Sequence, residues 1–156
     1  MAGQMMVEDK IREVLSGGEL ENALDFAAFL RANGFAPEFH ESGDGWSVMS
    51  GDESVGFISV TGAGEMPGPW TVWFNSCDFG GGPADDGLKK TAWAHASVCG
   101  NFSSGGKVCG CGDQPGFTMT IFGKEFKNRC HSPLMFTDPG GETLENMKKL
   151  MLMLKR

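Results

Sequence analysis

The sequence predicts an α+β fold in which an antiparallel meander of strands is flanked by helices. Apolar residues recur with helical spacing near both ends of the chain and with a period of two in the middle. The extended runs are separated by short turns containing Gly, Asp and Ser, which allow hairpins but are too short for parallel crossovers. A length of 156 residues predicts a single domain, 1–156.

Two helices are predicted before the sheet. The first begins near Val7 and is stopped by the Gly17-Gly18 pair, because glycine disfavours continued helix. The second carries an apolar stripe over residues 20–30. It is expected to end at Asn33-Gly34, since glycine readily adopts the left-handed conformation of a helix C-terminus.

After Gly34 the period changes from helical to alternating, which predicts an antiparallel meander of three or four strands. In the run that begins at Pro69, for example, Trp70, Val72 and Phe74 fall on one face and Thr71 and Trp73 on the other. The predicted strands are Phe35 to His40, Trp46 to Met49, Val55 to Thr61 and Pro69 to Asn75.

Three further elements are predicted in the second half. A helix from about Asp85 to Val98 has two aspartates in its first turn, where the helix dipole favours them. A strand is expected from Phe117 to Phe122. The last helix is the clearest, because apolar residues recur at helical spacing between Leu144 and Leu154.

A cysteine-rich segment, residues 93–131, suggests a metal site resembling a zinc knuckle. His95 and Cys99 are four apart on the predicted third helix and would share one face, while Cys109 and Cys111 lie in a glycine-rich loop. Structural zinc is held by four sulfur or nitrogen ligands. The favoured shell is Cys99, Cys109, Cys111 and Cys130, with His95 as the main substitute. Ordinary reduced cysteines and a reactive thiol site are the alternatives.

Charge and cysteine content restrict the partners. The net charge of −7 disfavours nonspecific binding to nucleic acid phosphates or anionic lipid, although the chain from Lys89 onward is basic. No apolar run reaches the roughly 20 residues needed to span a bilayer. The N-terminus lacks the basic and apolar regions of a secretory signal, so a cytoplasmic location is expected. Five cysteines, an odd number, weaken a disulfide framework.

These observations predict a small cytoplasmic binding or regulatory domain, stabilised by a structural metal, with a protein or small-molecule partner. No catalytic constellation is evident. An enzyme remains an alternative, either thiol- or zinc-dependent, centred on His95 and Cys99. A further alternative is nucleic acid binding by the basic second half, and a last one is a pocket lined by all four tryptophans, Trp46, Trp70, Trp73 and Trp93.

Overall fold

The computed structural model describes residues 6–40, 45–62, 69–79, 84–98 and 117–155. Within these ranges the chain forms four helices and seven strands. The helices are α1 (Val7–Val14), α2 (Gly17–Ala32), α3 (Asp86–Ala94) and α4 (Gly141–Met153). The strands are β1 (Ala36–His40), β2 (Gly45–Ser50), β3 (Glu53–Val60), β4 (Trp70–Phe74), β5 (Ala96–Val98), β6 (Phe117–Ile121) and β7 (Lys124–Thr137).

The strands form one sheet in which every described pairing is antiparallel. The first four strands are the predicted meander, in which each strand pairs with the next. Beyond them β7 pairs with three strands, giving the order β1-β2-β3-β4-β7-β5 with β6 also on β7. The α+β prediction is therefore confirmed, and the sheet extends beyond the predicted meander.

The helices pack against one face of the sheet and form a single core with it. Alternate residues of the central strands point into this core, and Phe26 of α2 contacts Trp70 of β4 with ring centroids 6.1 Å apart. No helix in the described ranges has both the length and the apolar character required to cross a membrane. The buried strand residues include Trp46, Val48, Ile58, Val60, Trp70, Val72, Phe74, Leu134 and Phe136.

The end of α2 was predicted correctly from the local sequence, because the helix cap depends on Gly34. Gly34 has a φ of +84°, the left-handed conformation that was predicted for it. The Phe35 amide donates to the Leu30 carbonyl at 2.9 Å, and the Gly34 amide donates to the Arg31 carbonyl at 3.4 Å. This is the Schellman arrangement, which caps the last carbonyls of a helix. It turns the chain directly into β1.

Ion pairs join the helices on their outer side. Arg31 of α2 donates two hydrogen bonds to Glu8 of α1, at 2.5 and 2.9 Å, and this bonding lowers the pKa of the Glu8 carboxyl. Lys148 of α4 reaches Asp25 of α2 and Glu145 of its own helix. Burial alone would lower the pKa of Lys148, but the two carboxylates outweigh it and raise the pKa.

The third helix is shorter than predicted. It begins as expected, with the Asp85 side chain accepting a hydrogen bond from the Leu88 amide at 2.7 Å, but it ends at Ala94 rather than at Val98. Residues 96–98 form β5 and pair with β7. The prediction that His95 and Cys99 share one face of a helix is therefore wrong, because pairing with a distant strand replaces the last helical turn.

The longest strand, β7, was not predicted from the sequence. Its first half is polar and it contains Pro133, a residue that argues against a strand interior. Its pairing with β5 is irregular: two steps along β5, from Ala96 to Val98, correspond to five steps along β7, from Leu134 to Arg129. A bulge in β7 accounts for this shift. Pro133 lies in the bulge, where a missing amide hydrogen costs no regular ladder bond.

The fold generates a stability prediction for two threonines. Thr71 is 1% exposed, and in the described part of the chain its Oγ1 has no hydrogen-bond partner. We expect Thr71→Val to raise the free energy of unfolding by about 1 kcal/mol, because a buried hydroxyl without a partner is unfavourable. Urea denaturation measures the change.

Thr91 supplies the matched control. Its Oγ1 accepts a hydrogen bond at 2.9 Å from Asn146, which is buried. The same substitution there, Thr91→Val, leaves a buried amide without its acceptor and is expected to lower the free energy of unfolding by about 1–3 kcal/mol. Equal effects at the two positions would contradict the assignment of Thr71 as unpartnered.

Candidate functional site

The predicted metal ligands fall partly outside the described residues. Cys99, Cys109 and Cys111 lie outside them, whereas the backbone of Cys130 belongs to β7. Val98 pairs with Arg129, so the residue before Cys99 lies beside the residue before Cys130. Among the described residues, no three His, Cys, Asp or Glu side chains are grouped so that they could hold a metal ion.

His95 lies at the junction of α3 and β5. Its Nδ1 is 2.8 Å from the Thr91 carbonyl oxygen, and its ring stacks on Phe136 with centroids 4.3 Å apart. A carbonyl only accepts hydrogen bonds, so Nδ1 carries a proton, and in the neutral form of the ring Nε2 is then the acceptor. This tautomer is the one that histidine metal ligands use when their second nitrogen is anchored by a backbone carbonyl.

A cleft of about 560 Å³ opens where the edge of β7 passes from one partner strand to another. Leu134 pairs with Phe74 of β4, and Arg129 pairs with Phe117 of β6. The same two residues pair with β5 on their other side, so β4 and β6 lie one after the other along the opposite edge of β7. One wall of the cleft is the segment 75–79, which leaves β4, and the other is the β6–β7 hairpin. The lining residues are Asn75, Ser76, Cys77, Asp78, Phe79, Met119, Thr120, Phe122, Gly123 and Pro133.

Hydrogen bonds fix the 75–79 wall against its neighbours. The Asn75 amide donates to the Val55 carbonyl at 3.0 Å, and its side-chain nitrogen donates to the Ser54 carbonyl at 3.1 Å. Within the segment, the Asp78 amide donates to Ser76 Oγ at 3.0 Å. The cleft therefore has a wall of defined conformation that exposes backbone and side-chain polar groups.

Cys77 contributes a half-buried thiol to this wall. Its Sγ lies 3.9 Å from the Thr120 carbonyl, so the thiol donates across the cleft to the outer edge of β6. Burial raises the pKa of Cys77, and the nearby Asp78 acts in the same direction. The thiol therefore stays protonated to higher pH than an exposed cysteine, which makes it a weak nucleophile and a polar contact.

Phe122 forms the opposite wall at a cost in backbone strain. The β6–β7 turn places Phe122 at φ +48° and Gly123 at φ +80°, as a two-residue hairpin turn with both central residues left-handed requires. Glycine and asparagine suit these positions, whereas a bulky side chain is strained there. Phe122 stacks on Phe79 with centroids 5.1 Å apart, and this stacking across the cleft offsets the strain.

A series of contacting aromatic rings extends from the cleft wall to His95. Phe79 contacts Phe74 at 6.3 Å between centroids, Phe74 contacts Phe136 at 5.3 Å, and Phe136 carries the His95 ring. A continuous row of aromatic contacts thus connects the cleft wall with the histidine. Packed aromatic rings of this kind fix the relative positions of the two sites.

The tryptophans do not gather in one pocket. Trp46 and Trp70 are core residues, each 1% exposed, and Trp93 is half-buried and donates to the Ile121 carbonyl at 2.7 Å. Trp73 lies on the opposite face of β4 from Trp70. Lys124, which belongs to the basic second half, lies 5.2 Å from the centre of the Trp93 ring, a cation–π contact within the fold.

Sequence reasoning missed the cleft because its walls are distant in sequence: Cys77 and Thr120, which contact each other across it, are 43 positions apart. One local signal was present: the polar run Asn75-Ser76-Cys77-Asp78 directly follows a buried strand. Comparison of the chain with protein-family models, curated proteins and solved structures finds no match. The proposal for its function therefore rests on its own geometry.

The strained turn generates a prediction about Phe122. Both Phe122→Ala and Phe122→Gly remove the stacking on Phe79, but only glycine also removes the left-handed strain. We expect both variants to be less stable than the unmodified chain and the glycine variant to exceed the alanine variant by about 1 kcal/mol. Thermal and urea unfolding measure the order, and an alanine variant equal to or more stable than the glycine variant would contradict the strain.

Proposed function

We propose that this protein is a small binding module whose cleft receives a small molecule of mixed polarity. The observation that carries the proposal is the cleft itself, whose volume of about 560 Å³ falls in the range typical of ligand sites. Its walls combine aromatic and sulfur-containing side chains with a few polar groups. That combination supports recognition of a ligand with an apolar body and polar substituents.

The chemistry of the cleft supports binding more than catalysis. Its thiol, Cys77, is kept protonated by burial, so it lacks the activation that a cysteine nucleophile requires. Asp78 is the one carboxylate among the described lining residues, and no histidine, lysine or second carboxylate accompanies it there. The other polar side chains, Asn75, Ser76 and Thr120, are uncharged at any ordinary pH. They can donate and accept hydrogen bonds, but they are poor general acids or bases on their own.

A structural metal in the second half remains part of the proposal. The favoured ligands are Cys99, Cys109, Cys111 and Cys130 around zinc, with His95 as the substitute. Two observations support this site: the pairing of Val98 with Arg129, which brings the chain entering Cys99 beside β7, and the accepting Nε2 of His95. The metal would stabilise the fold and supply no chemistry to the cleft.

The alternative is an enzyme centred on His95 and Cys99. The two residues do not share a helical face, so the geometric reason for pairing them is lost. They remain close in sequence, because only the three residues of β5 separate them. A reactive thiol at Cys99 and a metal-bound thiol at Cys99 differ in one measurable property. A reactive thiolate is alkylated fast near neutral pH, whereas a zinc-bound thiolate is protected until the metal is removed.

Site-resolved alkylation distinguishes these possibilities. We expect Cys99, Cys109, Cys111 and Cys130 to react slowly with iodoacetamide at pH 7 and to react together once a zinc chelator is added. Cys77 is expected to react slowly with or without the chelator, because its pKa is raised and little thiolate is present. Peptide mapping by mass spectrometry gives each rate, and metal analysis of the same preparation gives the zinc content.

The outcomes are distinct. Four cysteines that react at the same rate before and after chelation, with no zinc in the protein, would remove the metal from the proposal. Fast alkylation of Cys99 alone near neutral pH would support the enzyme. The variant His95→Phe keeps a ring against Phe136, so retention of zinc by this variant indicates a shell made of the four cysteines.

Ligand binding in the cleft is tested with a fragment library and amide NMR spectra. We expect a subset of fragments to shift the signals of Cys77, Phe79 and Gly123. The variant Thr120→Arg places a long side chain in the cleft, so it should weaken these fragments by about tenfold or more. Thr118→Arg is the control, because Thr118 is exposed on the same strand but does not line the cleft.

Failure of every fragment to shift cleft signals would contradict the proposal. Equal binding to the Thr120→Arg variant and to the Thr118→Arg variant would also contradict it, since the fragments would then occupy another site.

A further inference from the structure

The face of the sheet opposite the helices carries a row of aligned side chains. The strand register aligns Glu38, Ser47, Phe57, Trp73 and Met135 on five successive strands, β1, β2, β3, β4 and β7. Ser47, Phe57, Trp73 and Met135 are half-buried, whereas their sequence neighbours on the helix-covered face are buried. An aromatic pair therefore occupies the centre of the second face.

The sequence makes room for this pair at Gly45. A Cβ at position 45 would lie 2.1 Å from Cζ of Phe57, far closer than atoms can approach. Phe57 thus lies across β2 over a residue that has no side chain. The Ile58 carbonyl oxygen would lie 2.7 Å from the same Cβ, so both the ring and the neighbouring backbone account for glycine at this position.

Phe57 and Trp73 form the two sides of a groove. Their centroids are 6.0 Å apart and their planes meet at 55°, so the rings enclose an angle. The groove has a volume of about 380 Å³ and is lined by Ser47, Ser54, Gly56, Phe57, Trp73 and Asn75. Asn75 is held by hydrogen bonds from its side-chain nitrogen to the Ser54 carbonyl and to Ser54 Oγ, at 3.1 and 3.0 Å. This anchoring orients its side-chain carbonyl oxygen as a fixed acceptor.

The charge of the groove restricts its ligand. All six lining residues are uncharged, and the chain as a whole carries a net charge of −7. An anionic ligand such as a nucleotide would find no cation among the described lining residues and would be repelled by the acidic chain. A cation would likewise find no carboxylate among the described lining residues, and burying a charge without a partner is unfavourable. The ligand that fits is therefore neutral, with an apolar face for the rings and hydroxyl groups for the serines and the amide.

We propose that the groove binds a sugar ring of a neutral oligosaccharide. The C–H face of the sugar packs on Trp73 and Phe57, as apolar surface does on aromatic rings. Its hydroxyl groups can exchange hydrogen bonds with Ser47 in either direction and donate to the Asn75 side-chain oxygen. Ser54 Oγ, which donates to the Gly56 carbonyl at 3.3 Å, also serves as an acceptor. The proposal is independent of the cleft ligand, although the groove and the cleft share Asn75.

The test is calorimetric titration of the intact chain with neutral cello-, malto- and chito-oligosaccharides. We expect at least one series to bind with affinity that rises with chain length. Trp73→Ala should lower that affinity by about tenfold or more, and Trp73→Phe, which keeps a ring, should lower it less. Circular dichroism and thermal unfolding establish that each variant is folded.

A second variant keeps the test valid if Trp73→Ala is unfolded. Ser47→Arg fills the groove from a half-buried position and should abolish binding. Thr118→Arg is its control, because Thr118 is exposed on β6 and does not line the groove. Absence of binding by all three oligosaccharide series overturns the proposal, as does equal affinity of the Ser47→Arg and Thr118→Arg variants.

The experiment also separates the groove from the cleft. Thr120→Arg blocks the cleft and should leave oligosaccharide binding unchanged. If this variant lost oligosaccharide binding while Ser47→Arg retained it, the sugar would occupy the cleft, and the assignment of the groove would be wrong.

Discussion

The second half of the fold depends on β7, because one strand completes the sheet on both of its edges. Along one edge β7 pairs with β4 and with β6, and along the other edge it pairs with β5. A strand that passes from one partner to the next must interrupt its regular ladder between them. The interruption in β7 is the bulge that contains Pro133, and the cleft opens beside it. Bulges of this kind often accompany binding sites, since they free polar groups and redirect side chains.

The cleft and the proposed metal site are joined through the core. The aromatic contacts from Phe122 through Phe79, Phe74 and Phe136 end at His95, and the His95 carbonyl in turn accepts a hydrogen bond from the Met135 amide at 3.0 Å. A metal that orders the chain around His95 would therefore also order the wall of the cleft. In the proposed arrangement such an ion would influence ligand binding without contact with the ligand.

The two faces of the sheet differ in what they pack against. The helix-covered face holds the core, with Trp46, Trp70 and Phe74 almost fully buried. The second face holds Phe57 and Trp73, and Gly45 leaves room for the Phe57 ring and for the Ile58 carbonyl oxygen. Asn75 stands where β4 ends and contributes to both the groove and the cleft. Its anchoring on Ser54 fixes one boundary of each site.

The sequence by itself determined the elements whose signals are local. Gly34 ends α2, Asp85 begins α3, and the alternation from β1 to β4 gives strands whose short turns leave only antiparallel neighbours. The α+β class followed from these elements. The predicted ligands Cys99, Cys109 and Cys111 lie outside the described residues, so the zinc site stays a prediction.

Tertiary structure alone decided where α3 ends, that β7 is a strand, and where a cleft forms. Residues 95–98 have an acceptable helical pattern, but β5 gains ladder hydrogen bonds with residues more than 30 positions away. The polar first half of β7 and its Pro133 gave no strand signal, because its partners supply the order that its own composition lacks. Contacts between segments distant in sequence carry no local periodicity, and the cleft consists of such contacts.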